Sequence, residues 1–318
     1  MCMYYTKGIN QNGYIMCLHC NMKKCEHPIF LYIYDMTSQC DDIVLLIQEY
    51  IKIDLYQTIA SGNSHTVRLM QNNTVKCRGS NSDRQCNVPD SIQGKVVSIG
   101  CGSYHTFALL NNNTVRCWGG NGYGQRNVPD SIQKKVVSID CGSNHFCALL
   151  DDMTVKCWGD NGFEQCDVPN SIQGKVVSIV CGYYNSCALL NDNTIKCWGN
   201  NLEEQCDVPD AIQGKVKSIN AGYDFFCALL NDNTVECWGD NTEGQCNVPD
   251  SVQGKVDSIK CGDHHSVALL NDNTVKCWGD NDHGQCDVPD SIQGNIVSIE
   301  CGGYHSYALL NNNTIKRW

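Results

Sequence analysis

The sequence predicts an all-β chain, a seven-bladed β-propeller built from 40-residue repeats, behind a short irregular or helical N-terminal extension. Three observations carry this expectation. The segment CGSYHTFALLNNNTVRCWGG from Cys101 recurs from Cys141, Cys181, Ala221, Cys261 and Cys301 without insertion or deletion, and a period of this size belongs to solenoids and propellers. Inside each period the apolar residues alternate every second position, as strands require. First strands end near Ala60, Cys101, Cys141, Cys181, Ala221, Cys261 and Cys301, which makes seven units. Val-Pro connectors at Pro89, Pro129, Pro169, Pro209, Pro249 and Pro289 make six joints, enough to string seven units into a ring. An open solenoid needs caps, whereas strands apolar on both faces suit blades stacked about an axis.

Residues 1–53 break the repeat and form a Cys-rich extension; residues 54–318 form the propeller. In the extension, Cys17, Cys20, Cys25 and His27 make a candidate zinc set, because Cys-x-x-Cys places two thiolates on one turn. The second pair, Cys25-x-His27, is tighter than usual, so ordinary thiols are the competing reading. Residues 41–52 (DDIVLLIQEYIK) read as a short amphipathic helix with Asp near its start. Within a repeat, residues 95–101, 105–110 and 114–119 read as three strands. Asn111, Asn112 and Asn113 turn the second into the third, since Asn tolerates the positive φ of a tight hairpin. Proline removes a ladder donor, so Val128-Pro129-Asp130 is a connector.

Composition bounds the function. A 42% hydrophobic share excludes disorder as the main state, and 23 Lys+Arg against 34 Asp+Glu give a net charge of −11. That charge repels phosphate backbones and disfavours direct nucleic-acid binding, while it suits a basic protein partner. No apolar stretch is long enough to span a bilayer, and the first ten residues lack a signal-peptide core. The expectation is an intracellular chain, in cytoplasm or nucleus, or in a virion if its Asn, Ile, Lys and Tyr richness reflects a large DNA virus. In a reducing compartment its 24 cysteines default to free thiols.

The recurring Gly-x-x-His of Gly102 and His105, followed by Trp118-Gly119-x-Asn121-x-x-Gly124-Gln125, resembles the regulator-of-chromosome-condensation repeat family over roughly residues 54–318. The period and the Gln-x-x-Val-Pro continuation are most similar to the secreted bacterial β-lactamase-inhibitor propellers of that superfamily, which implies a seven-bladed binding protein. Tryptophan-aspartate repeats are excluded by the short step from His105 to Trp118. Departures from the pattern are Arg78 in place of Trp, Arg317 in place of Cys, and Asn185 and Phe225 in place of His. Relatives that exchange nucleotide on a small GTPase carry an inserted wedge, for which this register has no room. Relatives that sense ultraviolet light carry extra tryptophans where this chain has Tyr104, Asn144, Tyr184, Asp224, His264 and Tyr304.

Strand direction locates a candidate site. The Ser103-Tyr104 step and the 121–125 loop must emerge at one rim, and the Asn turns at the other. The first rim differs from unit to unit, whereas the second hardly changes. Residues needed only for folding should repeat, so the varied rim is read as a partner surface, with neutral drift of loops as the bland alternative. Tyr104, Tyr123, Phe163, Tyr183, Tyr184, Tyr223 and Tyr304 are its expected aromatic anchors. Glu164, Glu203, Glu204, Asp224, Glu243, Asp263 and Asp282 are its expected acids, facing a basic partner.

The histidines His65, His105, His145, His265 and His305 recur with the fold and are read as packing groups, not as a general base or a metal ring. The pairs Cys77/Cys86, Cys157/Cys166, Cys197/Cys206, Cys237/Cys246 and Cys277/Cys286 have the spacing of loop bridges, but buried thiols between blades are the simpler account. No nucleophile–base pair or phosphate loop stands out. The expectation is a non-enzymatic interaction scaffold without a cofactor, apart from the zinc of the extension. A ubiquitin-pathway substrate adaptor and a small-GTPase regulator of exchange type are the alternatives.

Overall fold

The computed structural model of the chain describes residues 56–318. The zinc set Cys17, Cys20, Cys25 and His27 and the helix over 41–52 lie outside the described residues. Within them, seven three-stranded antiparallel sheets follow one another in sequence order. Unit one holds Tyr56–Ser61, His65–Met70 and Val75–Gly79. Unit two holds Val96–Cys101, His105–Leu110 and Val115–Gly119, and unit seven holds Ile296–Gly302, His305–Leu310 and Ile315–Arg317. The first strand of each unit is innermost, because the ends of all seven meet around one axial opening bordered by Ser61, Cys101, Cys181, Ala221, Cys261 and Cys301.

The wheel is closed. Unit seven bonds unit one through Ser61 Oγ with His305 Nε2 at 3.0 Å and through Thr66 Oγ1 with Tyr307 Oη at 2.8 Å. The chain is therefore the seven-bladed propeller that its period predicts.

Local chemistry explains the repeated shape. The third residue of each hairpin turn, Asn113 in unit two and Met153 in unit three, lies at φ 61°. The Asn112 carboxamide accepts the Thr114 amide and hydroxyl across the turn, at 3.3 and 2.7 Å. This is the side chain to backbone closure that makes Asn a turn residue. The connector is more ordered than its proline implied. Pro129 precedes a single 3-10 turn, Asp130–Ile132, whose Ile132 is buried. Gln133 then accepts the Val115 amide at 3.1 Å, which docks the connector on the outer strand.

The core is divided among the junctions. Val67, Leu69, Val75, Ile92, Val96, Ile99, Ala108, Leu110 and Trp118 fill the gap between units one and two, and five equivalent clusters fill the gaps up to unit seven. Each large side chain removed from water there stabilises the array by roughly 1.5–3 kcal/mol before chain entropy is charged against it. A blade alone has half of each such cluster, so the units stand only as neighbours.

Candidate protein-interaction face

The rim is positioned by the Gly-x-x-His step. A Cβ on Gly102 would overlap the His105 ring and the Gly142 carbonyl of the next unit, so glycine there is imposed by a side chain lying flat on the backbone. The ring then reaches the following blade. His65 Nε2 meets Thr106 Oγ1 at 2.9 Å, His145 Nε2 meets Ser186 Oγ at 3.0 Å, and His265 Nε2 meets Ser306 Oγ at 2.9 Å. Thr106, Ser186 and Ser306 pass their protons to the carbonyls of Gln85, Gln165 and Gln285.

Those glutamine carbonyls are the latches between blades. Trp118, Trp158, Trp198, Trp238 and Trp278 each donate Nε1 to the Gln carbonyl of the preceding unit, at 2.9–3.0 Å. Where Phe146 replaces the hydroxyl, His105 packs its ring against the phenyl with centroids 4.7 Å apart. Burial lowers His145 to a pKa of about 4 and His105 to about 3. Such rings stay neutral at pH 7 and serve the junction. Nitrogen and sulfur atoms of His145, Cys147 and Cys181 lie within 4.8 Å of one another, but His145 is engaged by Ser186 and Cys147 is bonded to Cys157.

The Ser103-Tyr104 steps converge on the axis. Ser103 N donates to Ser143 O, Ser143 N to Tyr183 O, Tyr183 N to Tyr223 O, Tyr223 N to Asp263 O and Asp263 N to Gly303 O, at 3.0–3.3 Å. The backbone thus forms a collar, and the side chains it carries stand side by side around the mouth. Tyr183 stacks on Tyr223 at 4.0 Å, Tyr184 meets Tyr183 edge-on at 4.5 Å, Phe163 closes on Tyr184 at 4.9 Å, and Tyr223 stacks on His264 at 5.5 Å. One aromatic band therefore runs across units three to six. Tyr304 pairs instead with His283, and Tyr104 and Tyr123 have no ring contact among the described residues although both are about half exposed.

The acids occupy the same rim. Asp224 is half-buried, accepts Gln205 Nε2 at 3.0 Å, and is pushed above the usual carboxylate range by burial and by the neighbouring Asp240 and Glu203. Burial raises Asp263 as well, against the pull of His264. Glu164, Glu203, Glu204, Glu243 and Asp282 are exposed on the loops. Glu164 and Glu204 sit at φ 63° and 58°, where Gly124, Gly244 and Gly284 take the same left-handed turn in other units. A non-glycine residue pays about 1 kcal/mol for that conformation.

Every rim residue expected from the sequence is on the surface of this face, but only Phe163, Tyr183, Tyr184 and Tyr223 are gathered into one band. His264, His283 and the exposed Leu202 belong to the face and were missed. They sit in the same varied steps, and a choice limited to tyrosine, phenylalanine and acids passes over them.

The cysteines depart from expectation. Bridges join Cys147–Cys157, Cys187–Cys197 and Cys227–Cys237, residues directly opposite on the middle and outer strands with Cα atoms 4.0–4.1 Å apart. The loop spacing is bridged at Cys77–Cys86. Cys166, Cys206 and Cys246 are free, and each donates to the carbonyl of a loop residue. Sequence spacing brought up the loop partner because the cross-strand one depends on hairpin register.

The profile of the regulator of chromosome condensation (RCC1) repeat matches residues 96–125, 136–165, 176–205, 216–245 and 256–285. No curated protein sequence matches significantly. Among solved structures, the ectodomain of the Physcomitrella patens receptor kinase CR4 aligns with TM-score 0.67 at 23% identity, covering 84% of this chain and 73% of that one. Human WBSCR16 aligns with TM-score 0.67 at 19% identity, covering 81% and 87%. Prp20p of Saccharomyces cerevisiae, described with its binding to Gsp1p and histones, aligns with TM-score 0.62 at 19% identity, covering 80% and 83%. These likenesses concern the fold.

Proposed function

Because the chain belongs to the regulator-of-chromosome-condensation repeat family, we propose that it is a non-enzymatic scaffold that holds a protein partner on the varied rim. The observation that carries this reading is the continuous band Phe163, Tyr184, Tyr183, Tyr223 and His264 with acids at its border. Rigid aromatics anchor contacts at small entropic cost, and carboxylates around them select and steer a basic surface. Left-handed Glu164 and Glu204 favour selection over drift, since glycine serves that turn more cheaply in three other units. The partner is a protein with a basic surface; nucleic acid and membrane are not its targets. Histones, which are basic, are named among the partners of Prp20p.

The test is capture of partners from the native host with the intact chain and with Tyr183→Ala, Tyr184→Ala and Glu204→Ala combined. The partner set should shrink in the variant while its thermal unfolding stays near that of the parent. An unchanged set would remove the rim from consideration.

A second reading, nucleotide exchange on a small GTPase, is favoured by the shared fold with Prp20p and its partner Gsp1p. Accelerated release of bound nucleotide from a GTPase partner captured in the same experiment would select it over the passive scaffold.

A further inference from the structure

The axial mouth of the varied rim is ringed by one step residue from each unit: Asn63, Ser103, Ser143, Tyr183, Tyr223, Asp263 and Gly303. Six of these are neutral, and unit six alone supplies a charge. The ring is uneven in shape as well. Ser103 and Ser143 join their hydroxyls at 3.0 Å on one side, and Tyr183 and Tyr223 stack at 4.0 Å on another. Asp263 follows Tyr223 around the collar, and Gly303, which has no side chain, follows Asp263.

Gly303 makes room for the carboxylate. Its φ lies outside the left-handed region, so the backbone does not demand glycine there. A Cβ at this position would instead stand 2.6 Å from Asp263 Oδ2 and 3.2 Å from Oδ1. The Asp263 side chain therefore lies over the step of the next unit, at the edge of the opening. It is largely buried, and among the described residues it makes no side-chain hydrogen bond or salt bridge; the adjacent His264 turns Nδ1 toward Asp240 at 3.7 Å. Tyr304 is held above its usual range first by the Asp263 carboxylate, and Tyr223 in part by it, so both phenols lie near the same charge. A carboxylate drawn out of water without such a partner is costly, and an arriving cation relieves that cost.

We propose that the mouth receives one basic side chain of the protein partner, its cationic head on the Asp263 carboxylate and its apolar stem along Tyr183 and Tyr223. Such insertion rests on the partner rim read above and narrows the partner from a basic surface to a single inserted lysine or arginine. The opening holds about 110 Å³. That is too little for one turn of helix, which is about 10 Å across and 5.4 Å long, and enough for one extended side chain. Lysine and arginine each combine a stem that lies along aromatic rings with a head that pairs with a carboxylate. Glu203, Glu204 and Asp224 on the same face draw a cation toward the rim, and Asp263 fixes where it enters.

Saturation-transfer NMR on the full chain tests this with three blocked pentapeptides, Gly-Gly-X-Gly-Gly, in which X is arginine, lysine or the neutral citrulline. At least one charged peptide should bind saturably and at least tenfold more tightly than the citrulline peptide. Arginine alone identifies a guanidinium site, lysine alone an ammonium site, and both a site for either head. Asp263→Asn should weaken binding at least tenfold, and Gly303→Ala, which displaces the carboxylate, should weaken it too. Asp257→Asn, the same charge change nearer the other end of the same strand, should leave it unchanged. If Asp263→Asn does not fold, Asp263→Ser, the residue of units two and three, replaces it. Binding of neither charged peptide, equal affinity for citrulline, equal affinity in the Asp263 variant, or an equal loss with Asp257→Asn would overturn the insertion site. The rim reading falls separately, on an unchanged partner set in the combined Tyr183, Tyr184 and Glu204 variant.

Discussion

A side chain in this protein is defined first by the unit it departs from. Asp140 illustrates the point on the inner strand, where the same position is Gly100, Val180, Asn220, Lys260 and Glu300 in other units. Asp140 accepts the Cys181 amide at 2.8 Å, and Asn220 accepts the Cys261 amide at 2.8 Å in the same way. Burial raises Asp140 from 3.8 to about 6, with Lys260 partly opposing and Glu300 adding to the shift. A carboxyl whose folded pKa is raised favours the folded state only while protonated, so its favourable contribution is complete below pH 3.8 and is lost as pH rises through about 6. Asp140→Asn keeps the acceptor and removes the charge. It should therefore raise stability by about 1–2 kcal/mol at pH 8 and leave it unchanged near pH 3.5, as read by denaturant unfolding at both pH values. A uniform gain at both would mean that charge is not the cause.

At the scale of the element, what matters is the latch between one outer strand and the preceding loop. Trp198 Nε1 and Ser186 Oγ share the Gln165 carbonyl, at 3.0 and 2.9 Å. Trp198→Phe removes one of the two donors in a dry junction and should cost about 2 kcal/mol. Trp318 Nε1 has no partner among the described residues, so Trp318→Phe should cost less than half as much in the same thermal or denaturant measurement. Equal costs would show that tryptophan volume, and not the latch, holds the blades. The cross-strand cysteines are a property of the same hairpins. Alkylation after unfolding without reductant should spare Cys147, Cys157, Cys187, Cys197, Cys227 and Cys237 and label Cys166, Cys206 and Cys246. Labelling of both groups alike would reject the bridges.

At the scale of the whole molecule, closure does two things. It lines up the Ser103-type steps as a hydrogen-bonded collar, which turns separate loop residues into an aromatic band. It also sets units seven and one face to face, and there the repeat's own rules are broken by arginine. The buried histidines couple the whole wheel to acid. His65, His145, His265 and His305 are lowered to about 4 by burial. Their stabilising contribution is present above pH 6.5 and is lost as pH falls through about 4, opposite in sign to Asp140. Several rings act together, so stability should fall steeply between those limits, by up to about 1.4 kcal/mol per histidine per pH unit. Unfolding midpoints at pH 7, 6, 5 and 4 check this, and a flat profile would contradict it.

Much of this was legible because a repeat writes its own alignment. Comparing Ala108 with Arg68, or Trp118 with Arg78, needs no relative, and the 40-residue period alone gives the strands, the Asn turns and the number of blades. Glycine before histidine also reads directly, since the step recurs at Gly102 and His105 whatever the loops do. The role of the Gln85-type carbonyl was not legible, because a backbone acceptor has no side-chain signature. The cross-strand cysteines were hidden for a related reason: the short spacing from Cys157 to Cys166 looks like a bridge until register places Cys147 directly opposite Cys157.

The sequence by itself determined the period, the strand pattern, the number of units and the side on which the variation gathers, because these follow from local conformational preference and from spacing along the chain. Only the tertiary structure decided which varied residues touch, which cysteines pair and where Arg78 meets Arg317. Those outcomes depend on the angle and closure of the wheel, which bring together groups separated by one, two or six repeats.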